Sequence, residues 1–320
     1  MRFSYILLPA VVFQLSAEEK ASPLQRPLKE LLTIENDSIR IGIDKAMGAS
    51  ITHLSWSGNG HENTINSTDP GRLIQQSYYA GKRLNRQAEG QHKAWSPWSW
   101  NPIQGGGVGS WARVTKFTKN KKANSLFAET VPKLWDMHNE EAEALMRQWT
   151  SFEPNMPNVV VVKNELICSR KPNDRWGPAH RSPQEVPACY FTRNFDTFKT
   201  YQGKGKWKTV SQPIGPPWGK TTSPSKAMAT FSANGQGIAI FSPDAKSWNF
   251  GPHGKGRTQD PAAGPCTHIA PVAFVNLGPQ STLSYRYWII VGTQAQIASR
   301  LDELWKKYRD EKISLTNPAQ

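Results

Sequence analysis

Glu185 lies between Pro183 and Pro187 in the segment HRSPQEVPACYFTR at 180–193. Prolines restrict the backbone on either side, so Gln184 and Glu185 are presented stiffly where a strand carrying Tyr190 and Arg193 begins. His180 stands five residues earlier. A carboxylate near an imidazole or a phenol can take a proton from a substrate and return it, which makes His180, Glu185 and Tyr190 candidate catalytic residues. The plainer alternative for Glu185 is a salt bridge to Arg181 or Arg193.

A second constellation occupies ENTINSTDPGRLIQQSYYAG at 62–81. Asp69-Pro70-Gly71 reads as a turn, so Arg72 leads into a strand predicted over 73–79. On a strand, alternate side chains share a face: Leu73, Gln75, Ser77 and Tyr79 on one, Arg72, Ile74, Gln76 and Tyr78 on the other. Both faces mix polar and apolar residues, which fits a concave sheet lined by ligand contacts, although a half-exposed edge strand has the same pattern. Arg72, Gln75 and Gln76 are therefore candidate binding residues, and Tyr79 a candidate acid or base.

The chain then changes character. GKRLNR, WSPWSWNP and QGGGVG follow one another between 80 and 111, and a connection this long is usually functional or disordered. It carries Trp95, Trp98, Trp100 and Trp111, part of a total of 13 tryptophans, so an ordered loop walling a cleft is expected. Indole stacks on the flat C–H faces of sugar rings, and amides meet their hydroxyls; Trp98, Trp100, Asn101 and Gln104 offer both. Burial in the core beneath the loop is the competing account for any one tryptophan. Arg72, Gln75 and Tyr79 are expected to border the same cleft as Trp98 or Trp100.

His53, His61, His92, His138, His253 and His268 show no metal-ligand spacing. His253 and His268 read as loop residues, and His268, just before a predicted strand, is the better catalytic candidate of the two. No serine-hydrolase elbow, Walker sequence or dinucleotide fingerprint is present, and neither metal nor cofactor is expected. Cys168, Cys189 and Cys266 lack CxxC spacing, so one bridge at most is allowed and redox chemistry is disfavoured.

These residues must be positioned by strands. Ile39, Ile41 and Ile43 alternate with polar residues, and β-rich runs recur at 111–117, 145–152, 159–167, 188–193, 227–232, 237–242 and 283–291, separated by Gly, Pro and Asn. Many short strands without alternating helices predict an all-β fold, a large antiparallel β-sandwich. One amphipathic helix is predicted at the C-terminal end, where Thr293 and Gln296 form a capping box ahead of Ile297, Leu301, Leu304, Trp305 and Tyr308.

Residues 1–17 have the pattern of a secretory signal peptide ending at Ala17, which predicts a secreted or periplasmic protein, and no later apolar run reaches spanning length. Residues 18–31 are read as an N-terminal extension, 32–312 as a single β-sandwich domain and 313–320 as a tail; a monomer is expected. The formal net charge is +14. Ten basic residues against one acid in 72–122, and twelve against four in 163–226, carry most of it. Such segments steer an anionic partner or form a merely solvated surface. No nucleic-acid-binding module accompanies the charge.

IENDSIRIGIDKAMGASITHLSW at 34–56 resembles the first strands of galactose mutarotase-like proteins. INSTDPGRLIQQSYYAG, WSWNPIQGG, RQWTSFEPNMPNVVVVKNELI and QEVPACYFTRNFDTFKTYQG resemble secreted bacterial members of that superfamily, and the resemblance spans roughly 32–310. It implies a galactose mutarotase-like supersandwich and a carbohydrate ligand. Members include sugar epimerases, glycosidase domains and polysaccharide lyases, so the fold leaves the reaction open. Mutarotases use a paired His and Glu on a concave sheet, a part that His180 or His268 could share with Glu185.

The leading expectation is a polysaccharide lyase acting on an anionic chain. Arg72 and Arg193 would neutralise a uronate carboxylate, and Tyr79, Tyr190 or a histidine would serve as base and acid. A glycoside hydrolase pairing Glu185 with Glu165 or Asp69, and a non-catalytic carbohydrate-binding protein, are the alternatives.

Overall fold

The structure is a computed structural model that describes residues 30–317 apart from 69 and 109. The predicted signal peptide, most of the predicted extension and the last three residues lie outside the described residues. Alternation builds the first element as expected: Ile39, Ile41 and Ile43 are buried while Arg40 points to solvent, and Leu31–Glu35, Ile39–Asp44 and Ile51–Trp56 form a three-stranded antiparallel sheet. The turn between the first two is closed by Asn36, whose side-chain oxygen accepts from the amides of Ser38 and Ile39.

Two larger antiparallel sheets pack face to face. Among the described residues, one has seven strands in the spatial order Lys133–Leu134, Pro102–Ile103, Gln75–Ser77, His180–Thr192, Cys266–Leu277, Ser247–His253 and Gly219–Thr221. The other has ten, running from Lys206–Val210 at one edge to Arg113–Asn120 at the other. Val186, Cys189, Phe191 and Ile269 of the first meet Met146, Val160, Val162, Ile240 and Ile289 of the second in one apolar core. Each aliphatic side chain buried there contributes roughly 1.5–3 kcal/mol. None of the three cysteines forms a disulfide, and all are buried.

The helix Gln294–Tyr308 carries the predicted capping box, with Thr293 and Gln296 bonded reciprocally. Its Ile297, Leu301 and Leu304 pack with Phe241, Trp288 and Ile290 on the outer face of the ten-stranded sheet. The helix thereby covers part of that face, whereas no helix among the described residues lies on the outer face of the seven-stranded sheet. No helix there is long and apolar enough to cross a membrane.

Four expectations need correction. The strand predicted over 73–79 is only Gln75–Ser77. The predicted 80–111 loop contains a two-stranded sheet of Ala80–Leu84 and Trp98–Trp100, and then the strand Pro102–Ile103. The segment before Tyr190 is no loop: one strand runs His180–Thr192 through both prolines, with the register shift between Glu185 and Cys189 accommodating Pro187. From 313 the predicted tail holds the strand Ser314–Thr316, paired with Thr282–Ser284.

Candidate active site

Glu185 and His268 meet on the outer face of the seven-stranded sheet, although 83 residues separate them. Phe191 and Ile269 turn to the core, so the strand period of two puts Tyr190 and His268 on the other side; the two residues also lie directly opposite each other in the ladder. Glu185 reaches the same face across the register shift. Its Oε1 lies 3.2 Å from His268 Nε2 and accepts a hydrogen bond of 3.1 Å from Asn249 Nδ2.

The protonation of this cluster follows from its bonding. His268 Nδ1 is 3.1 Å from the backbone carbonyl oxygen of Cys189, which can only accept. An ionised Glu185 also only accepts, so both contacts are satisfied when both ring nitrogens carry a proton. The imidazole is fully buried, stacked on Tyr190 at 4.3 Å between centroids and tilted against Trp218 at 4.7 Å. Burial pushes the Glu185 pKa up, but the His268 charge and the bonds from His268 and Asn249 outweigh it and hold the carboxyl below its ordinary value. The side chain keeps 12% of its surface exposed. Glu185 is thus an ionised carboxylate with an open side, the state a general base requires.

Tyr79 stands beside it. Ser77 lies opposite Glu185 in the ladder, and its hydroxyl donates to Tyr79 Oη at 3.4 Å. Gln184 fixes the Tyr79 backbone by accepting from its amide at 2.7 Å and donating to its carbonyl at 2.6 Å. Burial, and then the Glu185 charge, push the Tyr79 hydroxyl well above the ordinary tyrosine value against a smaller opposing effect of Ser77. Burial followed by the same charge raises Tyr190 as well. Both phenols keep their protons at neutral pH and suit the role of acid.

Aromatic rings flank the pair on both sides. Trp218 and Tyr190 stand at one end, with His253 6.2 Å from Trp218. At the other, Tyr79 meets Trp98 at 6.2 Å, Trp98 meets Trp95 at 5.8 Å, and Trp95 meets Trp135 at 5.4 Å. Of the three residues expected beside Trp98 or Trp100, Tyr79 borders Trp98, whereas Gln75 is buried and Arg72 lies with His253.

Several candidates lie elsewhere or are already engaged. His180 is exposed at the start of its strand, opposite Leu277, about 16 Å along the strand from Glu185 at 3.3 Å per residue; the two do not converge. Trp100 is fully buried, with Arg170 stacked over it at 5.1 Å, whereas Trp98, two residues earlier on the same strand, is only partly buried. Gln76 also faces the core, donating to the Arg147 carbonyl and accepting from Tyr78. Gln104 accepts from the Gln76 amide, and Asn101 accepts from the Trp135 amide.

Gln75 is buried beneath the glycine run, accepting from Gly105 N at 2.7 Å. A side chain at Gly105 would run into the Pro70 carbonyl and Gln75, which is why glycine is needed there. Arg193 is ion-paired with Asp196, which Arg257 also holds. Arg72 bonds His253 and the Gly264 carbonyl. Glu165 is on the ten-stranded sheet, paired with Arg147, and so is no partner for Glu185; Asp69 is outside the described residues.

Sequence reasoning missed Asn249 and Trp218. Both had signals: Asn249 alternates with the buried Trp248 and Phe250, and Trp218 is a tryptophan set among turn residues.

No protein-family model matches the sequence, and no curated protein is similar to it in sequence. Solved structures match in fold. A candidate aldose 1-epimerase from Escherichia coli K12 superposes with a TM-score of 0.50 at 10% identity, over 83% of this chain and 99% of that protein. A 4-α-glucanotransferase from Thermococcus litoralis gives 0.48 at 9% identity, over 83% of this chain and 37% of that one. An α-N-acetylgalactosaminidase from Bifidobacterium bifidum gives 0.47 at 10%, over 87% and 39%. This chain spans well under half the length of the last two. The fold is galactose mutarotase-like, an all-β supersandwich with one α-helix among the described residues.

Proposed function

We propose that this protein is a secreted carbohydrate-active enzyme that cleaves an acidic polysaccharide by β-elimination, with Glu185 as the base. The observation that carries the proposal is an ionised, partly exposed carboxylate held by His268 and Asn249, with aromatic rings on either side and a protonated tyrosine beside it. Glu185 takes the proton from the carbon next to the uronate carboxylate, the C–O bond to the leaving sugar breaks, and a C=C bond forms in the sugar ring. The leaving oxygen takes its proton from Tyr79, or from Tyr190. Positive charge near the developing enolate lowers the barrier. His268 is a positioning residue: it orients Glu185 and keeps it ionised.

Aldose epimerisation, suggested by the Escherichia coli relative, would use the same carboxylate on a single sugar; the aromatic rings on both sides of Glu185 favour a chain. A screen of acidic polysaccharides followed at the absorbance of unsaturated uronate tests the proposal. Product from one of them, absent with Glu185→Gln, is expected. Interconversion of aldose anomers without any unsaturated product would replace elimination with epimerisation.

A further inference from the structure

The cations predicted to meet a uronate, Arg72 and Arg193, hold other groups of the protein, and the basic segment 163–226 supplies a different one. Trp218 packs against His268 at 4.7 Å and Tyr190 at 6.3 Å, so its side chain stands with them on the outer face of the seven-stranded sheet. Two residues later the strand Gly219–Thr221 returns Lys220 to that face. The ladder places it there independently: Lys220 is directly opposite Asn249, the residue whose amide donates to Glu185, and opposite residues in an antiparallel pair share a face.

Lys220 is exposed. Among the described residues, no ion pair or side-chain hydrogen bond engages its ammonium, whereas Asn249 beside it is bonded to Glu185. Its strand lies three strand positions from that of Glu185, about 14 Å at the usual spacing. The two side chains close part of that distance, and a sugar ring fills the rest.

Resting on the elimination reading above, we propose that Lys220 is the specificity residue that recognises the carboxylate of an acidic sugar bound over Glu185. It meets the carboxylate as a mobile point charge rather than through a rigid fork, so it acts chiefly on binding, and salt weakens the contact.

The test measures binding and turnover separately on polygalacturonate, alginate and chondroitin sulfate, for wild type, Lys220→Gln, Lys220→Arg and Glu185→Gln. For the chain bound best by wild type, Lys220→Gln should weaken binding and raise KM about tenfold, the value of one charged hydrogen bond. It should also flatten the salt dependence, and Lys220→Arg should restore most of the loss. A purely structural role would give neither the rescue nor the altered salt response. Wild-type binding and salt response in Lys220→Gln overturn the inference while leaving elimination standing. Lysine-dependent binding without turnover overturns elimination and leaves Lys220 in place. Failure of wild type to bind any of the three overturns both.

Discussion

On the outer face of the ten-stranded sheet, Arg147 lies across from Glu129 on one neighbouring strand and Glu165 on the other, at 2.8 and 3.1 Å, and Lys116 completes the row 3.2 Å from Glu129. On the outer face of the seven-stranded sheet, Glu185 lies across from Ser77 and Val272. Its counter-charge comes instead from a histidine buried among aromatic rings. Each acid of the first row already has a cation bonded to it from a neighbouring strand. Glu185 is supported from below and keeps its exposed side open to a reacting group. The same residue types thus make a self-neutralised surface in one place and a base in the other, the difference being which neighbours the register supplies.

The largest effect that would test this contrast is at Glu185. Gln retains the shape and can still bond a neutral His268 but cannot accept a proton, so Glu185→Gln should reduce turnover by about 10²–10⁴-fold while the circular dichroism spectrum stays native. The carboxyl is held below its ordinary value in the fold. Its stabilisation is therefore complete above the unfolded value of about 4.3 and is lost as pH falls through the lowered folded value. Any stability gap between wild type and Glu185→Gln should narrow below about pH 4. A gap that widens in acid would mean that Glu185 is not the ionised member of the pair.

A comparably large effect on stability, with a different readout, separates the two tryptophans of WSWNP. Trp100→Ala empties a fully buried site and should cost about 3–5 kcal/mol in chemical unfolding. Trp98→Ala, at a partly exposed ring beside Tyr79, should cost less stability but weaken glycan binding. Equal stability losses, with glycan affinity unchanged in Trp98→Ala, would remove Trp98 from the cleft.

These contrasts also mark what could be read from the chain. The alternating isoleucines and the capping box at Thr293 and Gln296 rest on local pattern, and local pattern is visible in one sequence. Which histidine joined Glu185 was not: His180 is five residues away and exposed, whereas His268 is 83 away and adjacent through strand pairing. The prolines misled because proline usually ends or excludes a strand, while here the register shift after Glu185 accommodates one of them. Trp98 and Trp100 share a strand phase, and only the long-range neighbours, Arg170 over Trp100 and Tyr79 beside Trp98, separate them. Lys220 was one cation among twelve in its segment, and only its register with Asn249 distinguishes it.

The smallest expected effect belongs to the ladder on the opposite face. Arg147→Ala leaves Glu129 its contacts with Lys116 and Thr115, and Glu165 retains enough exposure to be hydrated. The loss should be about 1–2 kcal/mol, above that of an exposed ion pair because Glu129 is buried and below that of an uncompensated buried charge because Lys116 and Thr115 remain. Glu129 is held below its ordinary value first by the bond from Arg147, against burial, with Lys116 and Thr115 adding to the lowering. The Arg147 contribution is therefore present above the unfolded glutamate value and lost as pH falls through the folded one, and added salt should shrink it at neutral pH. Turnover should not change, because the apolar core lies between this row and Glu185. If Arg147→Ala instead lowered kcat as Glu185→Gln does, the two faces would be coupled through the Arg147 carbonyl, Gln76 and Tyr78, whose hydrogen bonds cross that core, and the ladder would belong to the catalytic machinery.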